Sequence, residues 1–128
     1  MFSGDTQPCD SLVQQGRNCD LLIHEATVED GLINFARNNF HTTMSEAIEV
    51  GRLMGAGFTI LTHFSQRYGK LPLASTDQVG LAFDNMRISP SELNRLPLMY
   101  DALRCMYLKH LETLEYRSEL YSRKYCSK

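Results

Sequence analysis

Leu21-Leu22-Ile23-His24-Glu25-Ala26-Thr27 is the stretch whose reading decides the fold. Three consecutive apolar residues make a short, continuous run of the kind that forms a buried strand. The run leads straight into an imidazole and a carboxylate. The pattern recurs at Phe58-Thr59-Ile60-Leu61, a second buried strand that delivers His63. Val79 to Phe83 is a further strand candidate, and Phe2 to Gly4 reads as the end of another, with Asp5 in the loop after it. Strands alternating with helical segments make an α/β chain. Open α/β sheets place their sites just beyond the carboxyl ends of the strands. That rule groups Asp5, His24, Glu25 and His63, which lie far apart in sequence.

The helices between these strands are marked by their ends. Pro8 fits a helix first turn, with Leu12 and Val13 on that helix and Gly16 as its stop. Thr27 or Asp30 is positioned to cap a helix through about Asn38. Thr43 with Glu46 makes a capping box. The helix that follows is expected to bury Met44, Ala47, Ile48 and Met54 and to end at Gly55 and Gly57. Ser89-Pro90-Ser91-Glu92 is a second capping box, with proline at the first helical position. Pro97 is expected to interrupt, and a long helix from about Leu98 to Tyr121 to carry Met99, Ala102, Leu103, Met106, His110 and Leu114 on one face.

Composition narrows the function classes. The 128 residues suit one small domain, 43% hydrophobic and 22% charged. No apolar run approaches the roughly 18 residues of a membrane span, so no membrane partner is expected. No basic segment followed by an apolar one opens the chain, so no secretory signal is read. The net charge of −2 is no nucleic-acid footprint by itself. It is unevenly spread: residues 1–86 carry 5 basic and 10 acidic side chains, and residues 87–128 carry 8 and 5. The basic tail reads as a solvated helix face ahead of an RNA contact. Cys9, Cys19, Cys105 and Cys126 show no paired metal-ligand spacing and are expected to be reduced thiols of an intracellular protein.

Each polar residue has a chemical reading and a plainer one. Asp5 in Ser3-Gly4-Asp5-Thr6 can bind or bridge metal ions, or cap the helix that Pro8 opens. His24 beside Glu25 can serve acid–base chemistry, or sit hydrogen-bonded in the core. Glu25, ending a buried strand, needs a partner or a polar cleft. His41 precedes Thr42-Thr43 at a helix start, where anions are favoured, or is a loop histidine. His63 can ligate zinc through a ring nitrogen, Arg67 can hold a phosphate bidentately, and Ser65 can donate to the same group. His110 reads as structural or exposed. Together they suggest metal-assisted hydrolysis of a phosphate ester.

Strings of sequence then carry the reading further. Ser3-Gly4-Asp5-Thr6, His24-Glu25-Ala26-Thr27 and His63-Phe64-Ser65-Gln66-Arg67-Tyr68 occur in that order, with His41-Thr42-Thr43 between the last two. In these the chain resembles the ribonuclease Z family. His41-Thr42-Thr43 departs mildly from the family's His-Ser-Thr, with the hydroxyl kept. The likeness runs from Phe2 to about Pro72 and takes in Val79 to Met86; the Phe-Ser-Gln form before Arg-Tyr is nearest the long eukaryotic enzymes.

The resemblance implies a fold, a reaction and roles. The fold would be α/β, the C-terminal half of a metallo-β-lactamase-fold αββα sandwich over residues 1–88, with a helical C-terminal extension over 89–128. The reaction would be zinc-dependent endonucleolytic removal of the 3′ trailer from precursor transfer RNA. Asp5 would bridge two zinc ions and His63 would ligate one. Glu25 and His41 would take part in proton transfer, and Ser65 and Arg67 would line the phosphate site. The nucleus or mitochondrion would be the location. The family's His-x-His-x-Asp-His motif is not in this sequence, nor is the arm that grips transfer RNA. Met1 runs directly into a strand end. The chain therefore reads as a part that alone binds zinc poorly and is inactive, its partners the missing N-terminal half or the full-length enzyme. Two other readings stay open: a non-catalytic fragment or isoform acting as a regulatory partner, and another phosphodiesterase of the same fold.

Overall fold

The computed structural model describes residues 1–65 and 77–106, with 112–113, 116, 119–120 and 123 beyond them. Three strands form one sheet: β1 (Leu21–Glu25), β2 (Phe58–Thr62) and β3 (Val79–Leu81), in the order β1-β2-β3. All pairings are parallel, with Leu21 opposite Phe58, Glu25 opposite Thr62 and Thr59 opposite Val79. The first residues extend the sheet beyond β1. Phe2 makes a parallel bridge to Ile23, the Ser3 amide donates to the Ile23 carbonyl at 3.0 Å, and the Ile23 amide donates to Met1 O at 2.9 Å. Because all these segments run the same way, Gly4, Glu25 and Thr62 finish at one edge.

The helices are α1 (Asp10–Gln15), α2 (Ile33–Asn38), α3 (Met44–Met54) and α4 (Leu96–Met106), with 3-10 turns at Asp30–Leu32 and Pro90–Arg95. α3 supplies most of the cover for one side. Ala47 packs with Leu61, Val79 and Leu81, while Val50 and Met54 pack with Leu22. Its N-terminus carries the expected box, with Glu46 Oε2 accepting the Thr43 amide at 3.1 Å. Its C-terminus turns at Gly55, φ 69°, where a glycine carries no steric penalty. At Gly51 the helix lies so close to β2 that a Cβ would stand 2.3 Å from Thr59 Oγ1. A third cluster joins Phe58, Ile60 and Leu96.

Several boundaries differ from the sequence reading. α1 starts at Asp10 with Cys9 as N-cap, so Pro8 precedes the helix instead of opening it. Asp30 does not cap its own helix; its carboxylate accepts from the Ser45 amide and hydroxyl at 2.8 and 2.6 Å, tying the 3-10 turn to α3. β3 stops at Leu81, short of Phe83. The Ser89–Glu92 box opens a 3-10 turn, and Pro97 sits in the first turn of α4 without interrupting it, since a proline near a helix start displaces no intrahelical bond. Met99, Ala102 and Met106 do not form a buried face: all three are exposed, and α4 instead turns Leu96 and Tyr100 inward. His110, Leu114 and Cys126 lie outside the described residues.

Tyr100 explains how α4 seals the sheet. β3 is an outer strand of the sheet, and the Leu81 amide donates to the Tyr100 hydroxyl. A side chain thus satisfies an amide that an open edge would leave unpaired. Burial pushes the phenol up to about 12, against a smaller lowering by that hydrogen bond. A raised folded pKa means that stability is full below pH 10.0, the ordinary phenol value, and is lost as pH rises toward 12. Tyr100→Phe is expected to cost about 1–3 kcal/mol in urea unfolding, the penalty of an unsatisfied buried amide, and to remove the late-titrating phenol from the ultraviolet pH titration.

Candidate active site

Glu25 is the hub of the polar edge. It ends β1, is 1% exposed, and its carboxylate gathers donors from three parts of the chain. The Thr6 amide reaches Oε1 at 2.7 Å. The Thr42 amide reaches Oε2 at 3.2 Å, and the Thr27 hydroxyl reaches Oε2 at 2.5 Å. His41 Nδ1 lies 3.1 Å from both oxygens. Burial pushes this carboxyl up, but the hydrogen bonds from Thr27, His41, Thr42 and Thr6 outweigh it and hold Glu25 below the usual carboxylate range. Thr42 also directly precedes Thr43, the N-cap of α3, whose N-terminal dipole favours the anion.

The loops bring the histidines to this carboxylate. After α2, Phe40 takes a left-handed conformation, φ 58°, and the His41 amide bonds back to the Ala36 carbonyl at 2.9 Å. A parallel bridge between Val28 and Thr43 then fixes the loop beside the segment leaving β1. An ionised carboxylate only accepts, so His41 must donate from Nδ1, which leaves Nε2 away from Glu25. His63 is the first residue past β2 and is itself left-handed, φ 59°. Its Nδ1 stands 2.8 Å from Thr27 Oγ1 and 3.3 Å from Asp5 Oδ1. Asp5 is exposed and follows Gly4, φ 64°.

Asp5, His41 and His63 each present a ligand atom within 4.8 Å of the others. One carboxylate oxygen and two imidazole nitrogens form a donor set that suits a borderline cation such as zinc, so these residues fit one. The set gives at most three protein ligands among the described residues. A cleft of about 610 Å³ opens beside Asp5 and His63, lined also by Glu25, Phe64, Phe83 and Asp84 among others.

Not every candidate joins this cluster. His24 is fully buried, with Nδ1 3.3 Å from Ser3 Oγ and, among the described residues, no hydrogen-bond partner for Nε2. Burial lowers its pKa against a smaller raising by Glu25, which favours the neutral ring. It is a core residue. Asp5 makes no cap at α1, which lacks any side-chain cap. The Ser65 amide donates to the Thr27 carbonyl at 3.2 Å. Arg67 lies outside the described residues. The sequence reading placed Thr27 as a candidate helix cap and as the last residue of the His24-Glu25-Ala26-Thr27 string, and missed its two side-chain contacts. The signal was present, since in extended chain residues two apart share a face, which sets Thr27 beside Glu25.

The parallel sheet thus collects an aspartate, a glutamate and two histidines at its carboxyl edge, an arrangement that suits metal-assisted chemistry. No protein-family model matches the chain. It is 48% identical over 121 residues to "Ribonuclease Z, mitochondrial" of Drosophila melanogaster, covering 91% of this chain and 16% of that protein. It is 44% identical over 117 residues to the human "Zinc phosphodiesterase ELAC protein 2", covering 89% and 14%. The crystal structure of a long-form RNase Z from yeast superposes with a TM-score of 0.77 at 38% identity, covering 89% of this chain and 16% of that one. The chain is similar to a segment of the long form of ribonuclease Z, spanning about one sixth of the length of those relatives. Among the described residues no helix is long and apolar enough to cross a membrane.

Proposed function

We propose that this chain carries one side of the active site of a zinc-dependent endoribonuclease that removes the 3′ trailer from precursor transfer RNA. The observation that carries the reading is the shared edge: Glu25 engages His41 at 3.1 Å while Asp5 and His63 stand within metal-binding distance of the same imidazole. In this reading Asp5 and His63 are metal ligands, with two zinc ions in the complete site and further ligands from outside this sequence. When bound, zinc supplies Lewis-acid chemistry, offsetting charge on the phosphate oxygens and making water a usable nucleophile near neutral pH. Glu25 holds the His41 Nδ1 proton. A second proton on Nε2 is then free to pass to the departing ribose oxygen as water attacks phosphorus and the P–O3′ bond breaks. The products are a 3′-hydroxyl and a 5′-phosphorylated trailer. Ser65 and Arg67 bind the phosphate.

The RNA and the remainder of the enzyme are the proposed partners. The mitochondrion, after the name of the Drosophila relative, and the nucleus are the proposed locations. The limited ligand set favours a second reading, a non-catalytic regulatory partner of a complete enzyme. The test is zinc content and precursor cleavage by the 128-residue chain, alone and joined to the upstream part of a relative. Cleavage by the joined protein, with zinc bound, is the expected result. A joined protein that folds and binds zinc but cuts no RNA overturns the enzyme reading in favour of the regulatory one.

A further inference from the structure

We propose that Thr27 is a positioning residue, whose hydroxyl fixes the tautomer of His63 and leaves Nε2 with the lone pair that a metal ligand needs. The proposal rests on the reading of His63 as a ligand. Thr27 has one hydroxyl proton and two neighbours competing for it, Glu25 Oε2 at 2.5 Å and His63 Nδ1 at 2.8 Å. Glu25 also takes the Thr6 and Thr42 amides and His41, an all-donor environment that requires the carboxylate to accept. The Thr27 proton therefore goes to Glu25. Its oxygen is left with lone pairs only, and the remaining contact is satisfied when His63 carries its proton on Nδ1. Nε2 then keeps the lone pair that a metal needs.

Two further contacts support this role. The Thr27 carbonyl accepts the Ser65 amide at 3.2 Å, and the Ala26 amide donates to the Thr62 carbonyl at 2.9 Å. The segment after β1 thus grips the chain on both sides of His63, which sits in a left-handed conformation that a non-glycine residue needs neighbours to maintain. Asp5 Oδ1, 3.3 Å from the same Nδ1, favours the same tautomer, but it is exposed to water and is itself a proposed ligand. Thr27 is the nearer acceptor. One hydroxyl consequently links the proton-transfer carboxylate to the ligand imidazole, so a disturbance at either reaches the other.

The test uses nitrogen chemical shifts of the imidazoles in the metal-free 128-residue chain, followed into mildly alkaline pH. His63 is expected to show a protonated Nδ1 and an unprotonated Nε2. Thr27→Val, which keeps shape and loses the hydroxyl, is expected to move proton onto Nε2 and to weaken zinc binding about 10-fold or more in the joined protein. Thr27→Ser is expected to restore both. A wild-type His63 protonated at Nε2 overturns the proposal without any variant. So does a Thr27→Val chain whose tautomer and zinc affinity match wild type. Separately, if His63→Ala leaves zinc affinity unchanged, the ligand reading falls, and the tautomer measurement still decides what Thr27 does.

Discussion

Glu25→Ala is expected to destabilise the chain by about 3–5 kcal/mol, the usual cost of removing one partner from a buried charged network. The carboxylate is 1% exposed and accepts from Thr6, Thr27, His41 and Thr42. Without it the Thr42 amide and the Thr27 hydroxyl lose their acceptor inside the protein, where water cannot easily replace it. Glu25→Gln keeps the volume but turns an amide toward a ring of donors, and is expected to cost about 1–3 kcal/mol. The pH dependence has a definite sign. Burial raises this carboxyl, the four hydrogen bonds lower it more, and the net position is below the usual carboxylate range. A depressed folded pKa contributes stability that is present above the ordinary carboxylate value and lost as pH falls through the folded one. Urea midpoints should therefore drop on acidification more steeply in wild type than in Glu25→Gln. A Glu25→Ala chain that unfolds at the wild-type urea concentration contradicts this account.

How much of this was legible follows from which interactions are local. The capping box at Thr43 and Glu46 and the glycine turn at Gly55 are written in adjacent residues, and both form. The apolar runs at Leu21 and Phe58 specify buried strands, and the parallel order puts Glu25 and His63 at one edge, as the strand-end rule requires. The inward face of α4 was not legible. Its pattern offers Met99 and Met106 as readily as Leu96 and Tyr100, and the choice is made by β3, whose edge amide at Leu81 needs the Tyr100 hydroxyl. The role of Thr27 was hidden for a similar reason. Its partner His63 lies 36 residues away and meets it only because β1 and β2 pair in that register.

His41 poses the sharpest remaining choice, because it belongs both to the Glu25 network and to the cluster of potential ligands. The two roles predict opposite results. If His41 is the acid, His41→Ala in the joined protein should lower precursor cleavage by about 10²–10⁴-fold, the range of a positioned general acid, and leave zinc affinity near wild type. If it is a ligand, zinc is lost along with cleavage, as expected for His63→Ala. Geometry favours the acid. His41 Nδ1 is 3.1 Å from both oxygens of Glu25, the contact that holds the ring in place for proton transfer from Nε2. His63, by contrast, faces a neutral hydroxyl at 2.8 Å and has the exposed Asp5 as its nearby carboxylate. Zinc titration of the two alanine variants side by side reads the difference directly.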